Sequence, residues 1–253
     1  MTPVTDHTSP SEAEPGRGGA LNLARQQRFW TRRAATWDHG AGNNPGLVKV
    51  VDQVIRSAKA TPQMRAVDLG CGSGQLTLTL ARQVESIVAV DISQTMIDLL
   101  TEHATSAGIG NLEGVASPIE RLVFPDGSLD LVVTNYALHH LRDRDKAALI
   151  ERAHGWLKPE GRLVIGDMMF GRGGDARDRE IISSKLRLLV KKGPGGWWRI
   201  LKNASRYFLR LQERPVSIDA WTEMCRVAGF ASVESIPVVN EAAVVCATKA
   251  SAT

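Results

Sequence analysis

Cysteine is scarce. The 253-residue chain has three, Cys71, Cys225 and Cys246, too few and too scattered for a disulfide framework or a zinc site. No apolar run approaches the roughly 18–20 residues of a membrane span. The opening stretch MTPVTDHTSPSEAEPGRGG lacks the apolar core of a secretory signal. There is no internal repeat. These absences leave a reduced, cytoplasmic, enzyme-sized protein as the expectation. The 43% hydrophobic and 23% charged residues exclude wholesale disorder, and the length suits one large domain or one with an insertion.

Acidic charge is thin in one place. Of 31 Lys and Arg and 27 Asp and Glu, residues 171–214 hold 12 and 4, leaving 19 against 23 elsewhere. The net charge of +4 therefore comes from one basic segment of an otherwise acidic chain. Such a segment attracts nucleic acid, anionic membrane or acidic ligands, and sign alone does not choose.

Residues 1–20, rich in Pro, Gly, Ser and charge, are expected to form a disordered tail, with 21–253 a single domain. Helical patterning is expected over Leu21–His39 and from Leu47 to Ala58, around an Asn43–Gly46 turn. Strands and helices then alternate: strands at Arg65–Leu69, Ser86–Val90, Leu112–Val115, Asp130–Thr134 and Arg162–Ile165, helices at Leu76–Val84, Thr95–Ala107 and Lys146–Leu157. That rhythm predicts an α/β fold whose mostly parallel sheet is covered on both faces. It breaks at Gly171, where residues 171–214 read as a helical insertion. It resumes with a helix at Ser217–Ala228 and a strand pair, Val233–Val238 and Ala243–Thr248.

The strongest motif is VDLGCGSGQLTLTLA. Strand residues lead into Gly70-Cys71-Gly72-Ser73-Gly74, and a helix follows. Such glycines let a ligand approach the backbone, with a helix N-terminus behind it. Dinucleotide binders show G-x-G-x-x-G. The spacing here is G-x-G-x-G, preceded by Asp68, which suits an amino group and a sulfonium better than a pyrophosphate. Asp91 ends the next strand, 17 residues after Gly74. A carboxylate there either accepts bonds from ribose hydroxyls or caps the following helix.

Asp68-x-Gly70-x-Gly72-x-Gly74, Asp91 and FPDGSLDLVVTNYALHHL together resemble the class I S-adenosylmethionine-dependent methyltransferases. Within them the chain is most similar to the ubiquinone and menaquinone C-methyltransferase branch. The resemblance covers about residues 47–169 well and 171–214 hardly at all. It implies a Rossmann-like seven-stranded sheet, S-adenosylmethionine as cofactor and S-adenosylhomocysteine as product. It also implies that Asp68 orients the methionine ammonium, that Gly70, Cys71, Gly72 and Gly74 line the cofactor, and that Asp91 holds the ribose. Ile92 and Met96 would pack on adenine, and Asn135 would offer its carbonyl to the ammonium. Relatives carry an Asp for the adenine amino group in a Gly-Asp-Ala-Glu stretch. Here Val115–Glu120 has none, which leaves Ser117, the Ile119 backbone or a water.

Methyl transfer from a sulfonium needs alignment and desolvation, and a base only where the acceptor holds its proton. His139, His140 and Asp167 fall at the cofactor end of the sheet and are the candidate catalytic groups; each could equally cap or pack a loop. The chain has no Asn-Pro-Pro-Tyr cluster of the amide- and amino-methylating relatives, and no Pro-Cys of the cytosine C5 enzymes. Nothing suggests a metal. Trp30, Trp37, Trp197 and Phe208 are candidates to cover the acceptor or to pack on the sheet rim.

Arg199, Lys202, Arg206 and Arg210 are spaced 3, 4 and 4 apart and share one helical face, with Trp197, Leu201, Ala204, Phe208 and Leu211 on another. Three readings stay open for 185–211: a lid helix over the acceptor pocket, peripheral membrane contact, or a phosphate-binding surface. The function expected is methylation, at oxygen or carbon, of a small lipophilic or aromatic acceptor by a monomer or homodimer. An RNA methyltransferase is the alternative, although nucleic acid is the less favoured partner because no separate RNA-binding module is present.

Overall fold

The computed structural model describes residues 11–12, 26–32, 44–171, 179–180, 183, 187 and 214–252. Seven strands form one sheet: β1 Arg65–Leu69, β2 Ser86–Asp91, β3 Leu112–Ala116, β4 Leu129–Asn135, β5 Leu157–Met168, β6 Ser232–Val239 and β7 Ala242–Thr248. Their order is β3-β2-β1-β4-β5-β7-β6. The first five run parallel, β7 is antiparallel to β5, and β6 is antiparallel to β7. This is the expected α/β sheet.

The helices are α1 Pro45–Ala58, α2 Thr77–Ala81, α3 Gln94–Ser106, α4 Asp143–Trp156 and α5 Ile218–Val227. Strands such as Ala66–Leu69 and Val132–Thr134 are buried throughout because helices cover both faces. On one face α1 packs Val50, Val54 and Ala58 among Leu131, Val133, Val164 and Val244. On the other, Leu149, Ala153 and Trp156 of α4 meet Trp221 and Cys225 of α5 over Val132, Leu163 and Val245. Residues 26–32 are also helical.

Three differences from the sequence reading have physical causes. The Asn43–Gly46 turn is a helix start: the Asn44 side chain accepts from Gly46 N and Leu47 N, and Pro45 takes the first helical position. The helix expected over Leu76–Val84 holds only Thr77–Ala81. The last parallel strand is longer than Arg162–Ile165, because Leu157 already pairs with Leu129 and Glu160 takes φ 64° where a break was expected. Inside the expected tail, Ser11–Glu12 pair antiparallel with Leu122–Val123. The rest of that tail, Trp37, and nearly all of the insertion with Trp197 and Phe208 lie outside the described residues.

Candidate functional site

The strand order reverses between β1 and β4, and connections leave in opposite directions there. That opens a crevice at the strands' C-terminal ends, the usual ligand position in such sheets. The glycine loop lies on its floor. Gly70, Gly72 and Gly74 have φ of 78°, 53° and 103°. A Cβ on Gly70 would lie 2.3 Å from the Ala137 Cβ, so the loop packs against the chain after β4 with no room for a side chain. Gly70 N and Cys71 N both donate to Val90 O, which ties the loop to β2.

Asp91 braces this arrangement. Its Oδ2 accepts from Gly72 N at 3.0 Å and its Oδ1 from Ser93 N at 2.9 Å. One carboxylate thus holds the loop and the N-cap residue of α3, placed between the two. Burial raises its pKa, and the bonds from Ser93 and Gly72 oppose the rise.

Asp68 is buried and accepts from Thr77 Oγ1 at 2.6 Å. Its other oxygen, Oδ1, is buried with no partner, as is Asn135 Oδ1. Burial pushes the Asp68 carboxyl up to about 7, only partly offset by the Thr77 bond, and Asp91 adds a further rise. Both residues line one cavity. Asn135 Oδ1 lies beside Gly166 among Val50 and Val54, so the Asp68 oxygen is the one that calls for a donor from the cavity, and an ammonium group is the donor chemistry that also restores its charge.

Asp68, Gly70, Cys71 and Gly72, with Ile92, Met96, Ile119 and Asn135, line that cavity, and Trp30 and His140 join them. Gly74 does not; its φ and the 2.4 Å approach of Leu100 to a Cβ built there make it a packing glycine. Ser117 is buried outside the lining, and its hydroxyl faces Pro118 O at 3.4 Å. Glu120, Gln26 and Tyr136 are lining residues that sequence reasoning missed. Glu120 ends the Val115–Glu120 stretch, where it is the one carboxylate.

The histidines separate into two roles. His139 is 5% exposed, and its Nδ1 lies 2.6 Å from Asp167 Oδ1, while its backbone N donates to Asp167 Oδ2 at 2.9 Å. Facing a carboxylate, Nδ1 donates in this bond. His140 stacks at a tilt on His139, with ring centroids 4.0 Å apart, and meets the Trp30 ring edge-on at 5.1 Å. His140 reaches the cavity and His139 does not. Tyr136, held at φ 51°, turns the chain between Asn135 and this pair. No group of three or more His, Cys, Asp or Glu among the described residues could hold a metal.

Residues 66–161 match the family model of a methyltransferase domain. That match covers less than half of the chain. The domain is 30% identical over 114 residues to the uncharacterized methyltransferase YcgJ of Bacillus subtilis (strain 168), a stretch covering 45% of this chain and 44% of that protein. It is 34% identical over 115 residues to the ubiquinone/menaquinone biosynthesis C-methyltransferase UbiE of Vibrio vulnificus, covering 44% of each chain. The chain thus spans about half the length of the curated relatives it matches. Its fold is shared with the 1,6-didemethyltoxoflavin-N1-methyltransferase of Burkholderia thailandensis, solved with S-adenosylhomocysteine. That likeness has a TM-score of 0.64 and 16% identity over 98% of both chains. The matched residues include the glycine loop, Asp91 and the histidine turn, and end before the basic insertion.

Proposed function

We propose that this protein transfers a methyl group from S-adenosylmethionine to a small acceptor held beside His140. The carrying observation is the buried, unpartnered Asp68 Oδ1 at the cavity floored by the glycine loop. It suits the methionine ammonium. Asp91, where β2 ends, suits the ribose hydroxyls, and Ile92 and Met96 offer apolar walls to the base. The cofactor supplies a methyl group already activated by the sulfonium.

This chain's residues orient and desolvate the acceptor. His140 takes the proton of an acceptor that keeps one, and the buried His139–Asp167 pair fixes the ring beside it. Trp30, edge-on to His140, and Tyr136 give the acceptor end an aromatic wall, which favours a planar, lipophilic molecule methylated at oxygen or carbon. The basic pattern of 185–211 supports peripheral contact with an anionic surface where such acceptors dissolve.

Calorimetry with S-adenosylhomocysteine is the test, followed by a methyl-transfer screen over quinols, phenols, sterols and total RNA. Binding of NAD and none of S-adenosylhomocysteine would sink the reading. Asp91→Ala is expected to weaken binding by about 1.5–3 kcal/mol, the range for hydrogen bonds to a charged group. Methylation of RNA with steep salt dependence would favour the nucleic-acid alternative instead.

A further inference from the structure

Lys146 is the one buried lysine among the described residues, with 0% of its surface exposed. Three oxygens surround its Nζ: Leu141 O at 3.0 Å, Asp143 Oδ1 at 3.1 Å and Arg214 O at 2.6 Å. The Trp221 ring lies 6.0 Å away. Burying an ammonium is costly unless it is fully hydrogen-bonded, so its three donors are committed here. Helix anchoring alone would need only Leu141 and Asp143. The third bond crosses 68 residues to the point where the described chain resumes.

Arg214 closes a circuit. Its own N donates to His139 O at 2.6 Å. The 139–141 turn is therefore held at two carbonyls, His139 by Arg214 and Leu141 by Lys146, and Lys146 holds Arg214 in turn. On its other side His139 is held twice by Asp167. Asp167 sits on β5 just before the chain leaves the sheet, and Arg214 is where the described chain resumes. Asp167 at the ring and Arg214 at the backbone carbonyl thus both bear on one residue, His139.

We infer that Lys146 is a positioning residue for the histidine pair: through Arg214 it keeps the His139 ring aligned on Asp167, and so ties the seating of the returning chain to the state of the base. The inference rests on the reading of His139 as the support of His140. It does not depend on cofactor binding, which calorimetry tests separately.

The experiment is NMR of protein carrying 15N-histidine, read at the His139 Nδ1 proton. In Lys146→Met, which keeps most of the side chain's length and removes its donors, that proton is expected to exchange with solvent at least tenfold faster. Arg214→Pro, which deletes the N–H given to His139 along with the Arg side chain, should shift it in the same direction. S-adenosylhomocysteine affinity should stay within twofold in both, since the glycine loop lies on other elements. Folded variants whose His139 proton exchanges within twofold of wild type would overturn the inference and leave Lys146 a helix anchor. A wild-type measurement decides even where a variant does not fold. In native-state exchange with low urea, the Arg214 amide and the His139 Nδ1 proton should open with one shared urea dependence. Two different dependences would overturn the coupling.

Discussion

At the scale of single residues, the state of Asp68 sets a pH dependence whose sign can be worked out. Its folded pKa stands near 7, above the ordinary carboxylate value, because burial disfavours the charge. The free protein thus binds the proton more tightly than the unfolded chain does, and loses stability as pH rises from about 4 through 7. Asp68→Asn is expected to raise the melting temperature of the free protein at pH 8 and to leave it unchanged below pH 4. At 1.36 kcal/mol per unit, the shift is worth at most about 4 kcal/mol. An equal melting temperature at pH 8 would contradict the burial argument. A ligand ammonium reverses the preference. Cofactor binding near pH 6 should then release up to one proton, measurable as buffer-dependent heats in calorimetry. His140→Gln is expected to slow transfer to a protonated phenol by about 10²–10⁴-fold and to spare an acceptor that is already ionised. A rate lost equally for both would point to packing.

The elements show how much the sequence made legible. The glycine loop could be read because positive φ leaves glycine where other residues are rare. Gly70→Ala should lose both stability, by about 1–3 kcal/mol, and S-adenosylhomocysteine binding, because a Cβ meets Ala137 as well as an unfavourable φ. Gly108→Ala, also at positive φ but with nothing within 4 Å, should cost only about 1–2 kcal/mol and leave binding intact. Thermal melts and calorimetry on both separate clash from strain. The buried strands were legible as unbroken apolar runs. The length of β5 was not, since Lys158-Pro159-Glu160-Gly161 has the composition of a stop. His139 and Asp167 could be named singly, but their pairing is a contact across 28 residues that no local pattern carries. Lys146 was illegible for a similar reason: a lysine three residues from Asp143 looks solvated until Arg214 is seen above it.

For the whole molecule, the uneven charge carries its own prediction. Anionic vesicles should sediment the wild type at low salt and release it at high salt, each basic residue near the surface adding about 1 kcal/mol. Replacing Arg199, Lys202, Arg206 and Arg210 by Gln should abolish that association and leave S-adenosylhomocysteine binding intact. Wild type remaining in the supernatant at low salt would restrict 185–211 to a soluble role. The seating of β7 between β5 and β6 bears on biosynthesis. All residues of the glycine loop, the Asp91 strand and the histidine turn leave the ribosome before Ala242–Thr248 does. Until then the outer edge of β5 from Arg162 to Met168 has no strand beside it, and β6 pairs with no strand but β7. An unpaired apolar edge is a template for association between nascent chains. A nascent chain without Ala242–Thr248 therefore carries the crevice residues beside an open, apolar flank.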